Sequence, residues 1–123
     1  MIILNTPFRW SCCICGVILI GKKECKDNMC MYRMILAHEM THAKRQKEMG
    51  CIKWLWKYIT DKKFRINEEL LACIAEIKKA RACGEWWDFD YQDYYTWIRS
   101  FPYCASKKEA LKFVKDLKKA IKE

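Results

Sequence analysis

Both histidines of this chain lie in one pentapeptide, His38-Glu39-Met40-Thr41-His42. In a helix, residues four apart lie one above the other on the same face, so both imidazoles could bind a single metal ion. Glu39 would then be close enough to reach a water molecule on that metal without being one of its ligands. The HExxH pattern therefore predicts a zinc site with Glu39 as the general base of a hydrolytic reaction.

The residues around the motif have the features of a long helix. Apolar residues recur near the helical period from Met31 to Met40, and no Gly or Pro interrupts residues 26–49. Gly50 is a natural end, because it follows a basic last turn. We therefore expect a buried helix over residues 27–49, in which the imidazoles need a partner that a metal would supply.

A catalytic zinc site usually has three protein ligands and one open position. No third histidine is available, so the remaining ligand must be a carboxylate or a cysteine. A second amphipathic helix is predicted over residues 65–83, and on a helical wheel Glu69 flanks its apolar face whereas Glu68 points nearly away. We expect Glu69 to be the third ligand, with Glu68 as its rival. The alternative is that both are solvated acids near a helix N-terminus.

These segments resemble the gluzincin metallopeptidases, in which HExxH on one helix is completed by a Glu in an ExxA-type segment of a later helix. The matching segments are His38–Gln46, the aromatic run Trp54–Tyr58, Arg65 and Glu69-Leu70-Leu71-Ala72. The resemblance covers roughly Arg9 to Ala82 and is greatest to minimal zincin-like proteins of bacteria and phages.

The resemblance implies a peptidase with one Zn²⁺, held by His38, His42 and Glu69, and with Glu39 as the base. Its expected partner is a peptide or protein substrate. The chain departs from the family at Cys73, where many gluzincins have an aspartate that supports the histidines. Loss of such a supporting group can weaken metal affinity or activity 10–100-fold.

We predict a single, mostly helical α+β domain over residues 1–123, with a small N-terminal antiparallel sheet. The predicted elements are strands within 1–24 (Ile2–Leu4, then Phe8–Ile14 and Val17–Ile20 turning near Cys15-Gly16), the HExxH helix at 27–49, an aromatic helix at 51–59, a turn at Asp61–Lys63, the glutamate-bearing helix at 65–83, and C-terminal helices within 85–122, the last of them capped by Ser106 and Glu109. In zincins the edge strand of such a sheet can hold an extended peptide.

The chain is basic, with 24 Lys and Arg against 15 Asp and Glu and a net charge of +9. This charge could attract acidic substrates, nucleic acid or a membrane surface. Nucleic-acid binding is not expected, because no recognition motif accompanies the charge. We expect no transmembrane segment. The Trp and Lys residues of the 51–59 helix leave open a weak contact with a membrane surface, although packing of its aromatics against the metal-bearing helices is the favoured interpretation.

Nine cysteines are many for a chain of this length. Their spacing is irregular and no credible signal peptide precedes them, so we expect reduced thiols in a cytoplasmic protein. Cys51, Cys73 and Cys83 are predicted to be small buried hydrophobic residues. A second zinc site is an alternative for the set Cys12, Cys15, Cys25 and Cys30, although core cysteines of a hairpin are favoured.

Two further interpretations of the motif stay open. The chain could be an inactive zincin-fold module that binds zinc or a partner. It could also be a DNA-associated metalloprotease, but the proteins of that kind complete HExxH with another histidine, which is absent here. Zincins often steady the oxyanion with a Tyr or His, and the candidates are Tyr91, Tyr94, Tyr95 and Arg99.

Overall fold

The computed structural model describes residues 2–6, 11–21, 29–83 and 91–122. Within these ranges the elements are β1 (Ile2–Thr6), β2 (Cys12–Ile14), β3 (Val17–Gly21), α1 (Met29–Met49), α2 (Cys51–Thr60), α3 (Lys62–Ala82), α4 (Tyr91–Arg99) and α5 (Lys107–Lys122). The prediction of a mostly helical α+β fold with a small N-terminal sheet is confirmed. No helix among the described residues is long and apolar enough to cross a membrane.

The sheet has the strand order β1-β3-β2. β2 and β3 form the predicted antiparallel hairpin, and its two-residue turn has positive φ angles of 49° at Cys15 and 84° at Gly16. β1 pairs with β3 in parallel, so the prediction of a wholly antiparallel sheet is wrong for this pair. No tight turn joins β1 to β3, and nothing local therefore requires antiparallel pairing. Residues 8–10 of the predicted second strand lie outside the described residues.

α1 packs against one face of the sheet. Ile18 and Ile20 of β3 are fully buried and form a hydrophobic cluster with Cys13 and Ala43. Beside them, the buried side chain of Gln46 donates a hydrogen bond to the Cys13 carbonyl at 2.9 Å and accepts one from the Cys15 amide at 2.9 Å. The amide of Gln46 thus satisfies backbone groups at the edge of the hairpin and fixes the sheet on the helix that carries HExxH.

α3 lies against α1 and begins earlier than predicted. The carboxylate of Asp61 accepts a hydrogen bond from the Phe64 amide at 3.2 Å and caps the helix, so Lys62 and Lys63 are helical. The predicted turn at Asp61–Lys63 is therefore wrong for Lys62 and Lys63, whereas Asp61 does separate the two helices. The cap of α5 is confirmed, because Ser106 and Glu109 exchange hydrogen bonds of 3.0 and 3.1 Å.

A second hydrophobic core joins α3, α4 and α5. Its fully buried members include Cys73, Ile98 and Leu117, with Phe113 beside them. The predicted burial of Cys73 is confirmed. The first part of the predicted 85–99 helix, residues 85–90, lies outside the described residues.

A disulfide joins Cys15 in the hairpin turn to Cys51, the first residue of α2, with a Cα–Cα distance of 5.4 Å. The prediction that all thiols are reduced is wrong for this pair, and so is the prediction that Cys51 is a buried hydrophobic residue. The two cysteines are 36 residues apart, and only the packing of the hairpin beside the start of α2 brings them together. Cys83 is partly exposed, contrary to its predicted burial. The cytoplasmic location stays a prediction.

The disulfide also bears on the alternative second zinc site. A disulfide-bonded sulfur is not a thiolate ligand, so Cys15 cannot belong to a four-cysteine site in this structure. Cys25 and the side chain of Cys30 lie outside the described residues. Burial raises the pKa of Cys13 to about 11, which keeps that thiol protonated at neutral pH.

Candidate metal centre

The two imidazoles of the motif meet a carboxylate from α3. His38 and His42 are buried one turn apart on α1, with ring centroids 5.0 Å apart and ring planes 77° apart. Glu69 is 2% exposed. Its Oε2 lies 3.0 Å from His38 Nε2, and its Oε1 lies 3.2 Å from His42 Nε2. The predicted ligand atoms are thus brought together.

These distances suit a tetrahedral zinc ion. Ligand atoms at 2.0–2.1 Å from the metal would be about 3.3 Å apart along the edges of the tetrahedron. Two imidazole nitrogens and one carboxylate are also a usual donor set for catalytic zinc. The two contacts go to different oxygens of Glu69, and one donor atom of each residue lies within 4.8 Å of the other two. The residues therefore fit the predicted ion in chemistry and are close enough together to hold it.

The charges at this site favour a cation between the three groups. Burial alone would raise the pKa of Glu69, but hydrogen bonds from His38 and His42 hold it well below its ordinary value. Burial lowers the pKa of His38, and this effect is outweighed by contacts with Cys73, Glu69 and Glu76, which raise the pKa well above its ordinary value. A buried carboxylate that stays ionised requires a positive partner, which is either a proton on the imidazole or a metal ion.

Glu68, the rival ligand, has a different partner. Its side chain is fully buried, and both of its oxygens accept hydrogen bonds of 3.1 Å from Arg45 Nε. A second guanidinium nitrogen of Arg45 lies 3.0 Å from Oε1. Neither Glu68 nor Glu69 is a solvated acid, because α1 covers both. The geometry therefore favours Glu69 as the residue that faces the imidazoles.

The other side of the His38 ring faces a second carboxylate. His38 Nδ1 lies 3.3 Å from Glu76 Oε1, within ion-pair distance, although the two atoms are not aligned as a hydrogen bond. Tyr94 donates a hydrogen bond of 2.5 Å to Glu76 Oε2. Cys73, where many gluzincins have an aspartate, is close enough to form a second donor group with His38 and Glu76. Burial raises the pKa of Cys73 to about 12, so the neutral thiol is a poor ligand.

Glu39 lies in a cleft beside the imidazoles. It is 5% exposed, and together with His38, Ser11 and Tyr103 it lines two cavities of about 410 and 420 Å³. The two cavities lie next to one another at these four residues and are together called the cleft. One end is lined by residues of α3 and α4, and the other by α2 and by residues 11–14 at the edge of the sheet.

Of the four predicted oxyanion-binding residues, only Tyr94 lines this cleft. Tyr91 and Tyr95 line a separate groove between α4 and α5. Arg99 is exposed and lies over the Tyr95 ring at 5.7 Å. These three candidates therefore lie outside the cleft, because a helix of nine residues can present only part of its surface to the site.

Two tyrosines of the cleft were missed. Tyr58 donates a hydrogen bond to Glu69 Oε1, and its position one turn after Trp54 on the inner face of α2 could have indicated this. Tyr103 lines both cavities. Its pKa is raised by burial and by the nearby carboxylates of Glu69 and Glu39, so its hydroxyl stays a hydrogen-bond donor at neutral pH. Tyr103 lies in a turn and not in a periodic element, and no sequence signal identified it.

Comparison of the chain with protein-family models, with curated proteins and with solved structures gives no match. The likeness to gluzincins is therefore one of motif and spacing.

Proposed function

We propose that this chain is a zinc-dependent peptidase in which His38, His42 and Glu69 hold one Zn²⁺ and Glu39 is the general base. The observation that supports this most strongly is the convergence of both Nε2 atoms on the buried Glu69 carboxylate. Two neutral imidazoles and one carboxylate would leave the centre with a charge of about +1 and one open coordination position.

Each residue then has a chemical role. Zinc, when bound, supplies Lewis acidity and activates water near neutral pH. Glu39 takes the proton from the attacking water and returns it to the leaving amine. The hydroxyl of Tyr58 orients Glu69 towards the imidazoles. Tyr103, whose hydroxyl is protonated in the cleft, donates to the developing oxyanion.

The substrate would be an extended peptide. Residues 11–14, at the edge of the sheet, line the same cleft as His38 and Glu39. On the described residues, β2 pairs with β3 on one side only, so its other edge can pair with an added strand. The side chain of Gln46 already donates a hydrogen bond to the Cys13 carbonyl. Pairing with an added strand is therefore restricted to the part of the edge near Ser11.

The decisive experiment compares wild type with Glu39→Gln for metal content and for hydrolysis of a generic peptide mixture. We expect one zinc per chain in both proteins, and at least a 100-fold loss of hydrolysis in the variant. Glu48→Gln is the matched control, because Glu48 lies on the same helix but is exposed, and it should retain both properties.

Three outcomes would contradict the proposal. A wild-type protein that folds without binding zinc would exclude the metal centre. Loss of zinc and of the fold together in Glu39→Gln would make Glu39 a structural residue. Zinc binding without hydrolysis by the wild type would instead indicate a zinc-stabilised binding module.

A further inference from the structure

The two faces of α2 have different environments. Trp54 is 3% exposed and packs against His42, with ring centroids 5.5 Å apart. On the opposite face, Ile52, Trp56 and Ile59 are 83%, 67% and 70% exposed. Their spacing of four and then three residues places them on one stripe of the helix. The predicted packing of the α2 aromatics is thus confirmed for Trp54 and wrong for Trp56.

The charged residues of α2, Lys53 and Lys57, are both positive. Both lysines are exposed; Lys53 flanks the stripe, whereas Lys57 lies further round the helix, with its Nζ over the Phe64 ring at 5.6 Å. α2 contains no acidic residue. Trp and Ile on one side of a helix, with Lys beside them, is the arrangement of a helix that lies in the interface of an anionic membrane, since the lysine stems can extend towards the headgroups.

Other exposed apolar residues lie at the cleft, which the inner face of α2 lines. Phe101 is 89% exposed and precedes Pro102 and Tyr103, which line the cleft together with residues of α2. Ile14 is half-exposed and precedes Cys15, which the disulfide joins to the first residue of α2. These residues belong to the cleft side of α2, so the apolar stripe on its outer face consists of Ile52, Trp56 and Ile59.

A second copy of the chain fits this surface less well than a membrane. The three side chains of the stripe would bury much less surface area than the roughly 800 Å² that each partner contributes to a stable interface. A two-fold axis through the stripe would also bring together two α2 helices whose charged residues are all positive, and like charges repel.

We propose that α2 docks on the surface of an anionic phospholipid bilayer, with Ile52, Trp56 and Ile59 inserted among the headgroups. The 10-residue helix would lie flat over about 15 Å of the surface. Because the inner face of α2 lines the cleft, docking places the cleft beside the bilayer. If the proposed peptidase function holds, its substrates are then peptide segments at a membrane surface.

The test is co-sedimentation of the full chain with vesicles of phosphatidylcholine containing about 30% phosphatidylserine. We expect the wild type to bind these vesicles, to bind pure phosphatidylcholine at least 10-fold more weakly, and to bind less in high salt. The variant Ile52→Ser/Trp56→Ser/Ile59→Ser should bind the anionic vesicles at least 10-fold more weakly. Leu111→Ser is the matched control, because Leu111 is 63% exposed on α5, away from the stripe.

A second pair of variants tests the charges. Lys53→Glu/Lys57→Glu should bind at least 10-fold more weakly, whereas Lys108→Glu/Lys115→Glu, with the same net charge, should bind nearly as well as wild type. Circular dichroism and metal content should be unchanged in all variants, which separates this test from that of the zinc site. The proposal is overturned if wild type does not bind anionic vesicles or the triple variant binds equally well. A wild-type dimer that the triple variant converts to a monomer would instead make the stripe a self-interface.

Discussion

Glu68 and Glu69 are adjacent and buried on α3, yet they face different partners on α1. Glu69 lies 3.0 Å from His38 Nε2, and Glu68 lies 3.0 Å from the Arg45 guanidinium. The partners on α1 are spaced by four and three residues, at 38, 42 and 45, and so lie on one stripe of that helix. α3 therefore provides one carboxylate that faces the imidazoles and another that pairs with the permanently charged guanidinium of Arg45.

This division predicts different effects for two isosteric substitutions. Glu69→Gln should weaken zinc binding by more than about 100-fold, because it removes the charged ligand. Glu68→Gln should keep one zinc per chain but lower the free energy of unfolding, since the buried pair with Arg45 is broken. Zinc titration with a competing chelator and urea denaturation measure the two effects. Loss of zinc in Glu68→Gln with retention in Glu69→Gln would reverse the assignment.

A second prediction concerns Glu76, which lies 3.3 Å from His38 Nδ1. A carboxylate at this nitrogen fixes the ring so that Nε2 faces the metal, and removal of such a group commonly costs 10–100-fold in metal affinity. Glu76→Gln should therefore weaken zinc binding by about 10-fold or more. Tyr94→Phe, which removes only the hydrogen bond to Glu76, should have a smaller effect. Glu48→Gln is the control, and equal zinc affinity in Glu76→Gln and Glu48→Gln would rule out a role for Glu76 in positioning His38.

The parts of the site that follow from local geometry could be predicted from the sequence. The spacing of His38 and His42 fixes them on one face of α1, and the apolar pattern around Glu69 indicated that α3 would pack with this residue near that face. The capping box at Ser106 and the turn at Cys15-Gly16 also depend only on neighbouring residues, and both were predicted.

The rest depends on how distant elements are placed relative to one another. The pairing of Glu68 with Arg45, the contact of Glu76 with His38 and the disulfide at Cys51 each join segments 23 to 38 residues apart. No periodicity within either segment encodes these contacts. The helical wheel predicted that Glu68 would point away from the apolar face of α3. In the structure α1 covers Glu68 as well, and its burial is favourable because the guanidinium of Arg45 on α1 pairs with it.

Tyr103 gives a prediction about the rate of the proposed reaction. If its hydroxyl stabilises the oxyanion, Tyr103→Phe should lower kcat by about 100-fold while zinc content stays the same. The ring contact with Trp97, at 4.4 Å between centroids, would be kept in this variant. Tyr95→Phe is the control, because Tyr95 lies outside the cleft. An unchanged kcat in Tyr103→Phe would exclude this role.

The ionised carboxylate of Glu109 at the cap of α5 should make the stability of the fold depend on pH. Glu109 Oε1 lies 2.8 Å from Lys62 Nζ, and this contact, together with hydrogen bonds at Ser106, lowers the pKa of Glu109 to about 2. Because the pKa is lower in the folded protein than its usual 4.5, the ionised carboxylate stabilises the fold above about pH 4.5, and this contribution is lost as the pH falls towards 2.

Glu109→Gln should therefore destabilise the protein at pH 7 by about 0.5–1 kcal/mol, a small effect because the ion pair is partly exposed and screened by solvent. The difference from wild type should shrink between pH 4.5 and pH 2, since the wild-type residue also becomes neutral in that range. Urea denaturation of both proteins across this range measures the difference. Lys62→Met removes the main cause of the lowered pKa of Glu109. It should therefore make the free energy of unfolding depend less on pH in this range. A difference of equal size at pH 7 and at pH 2 would show that Glu109 acts through its shape and not through its charge.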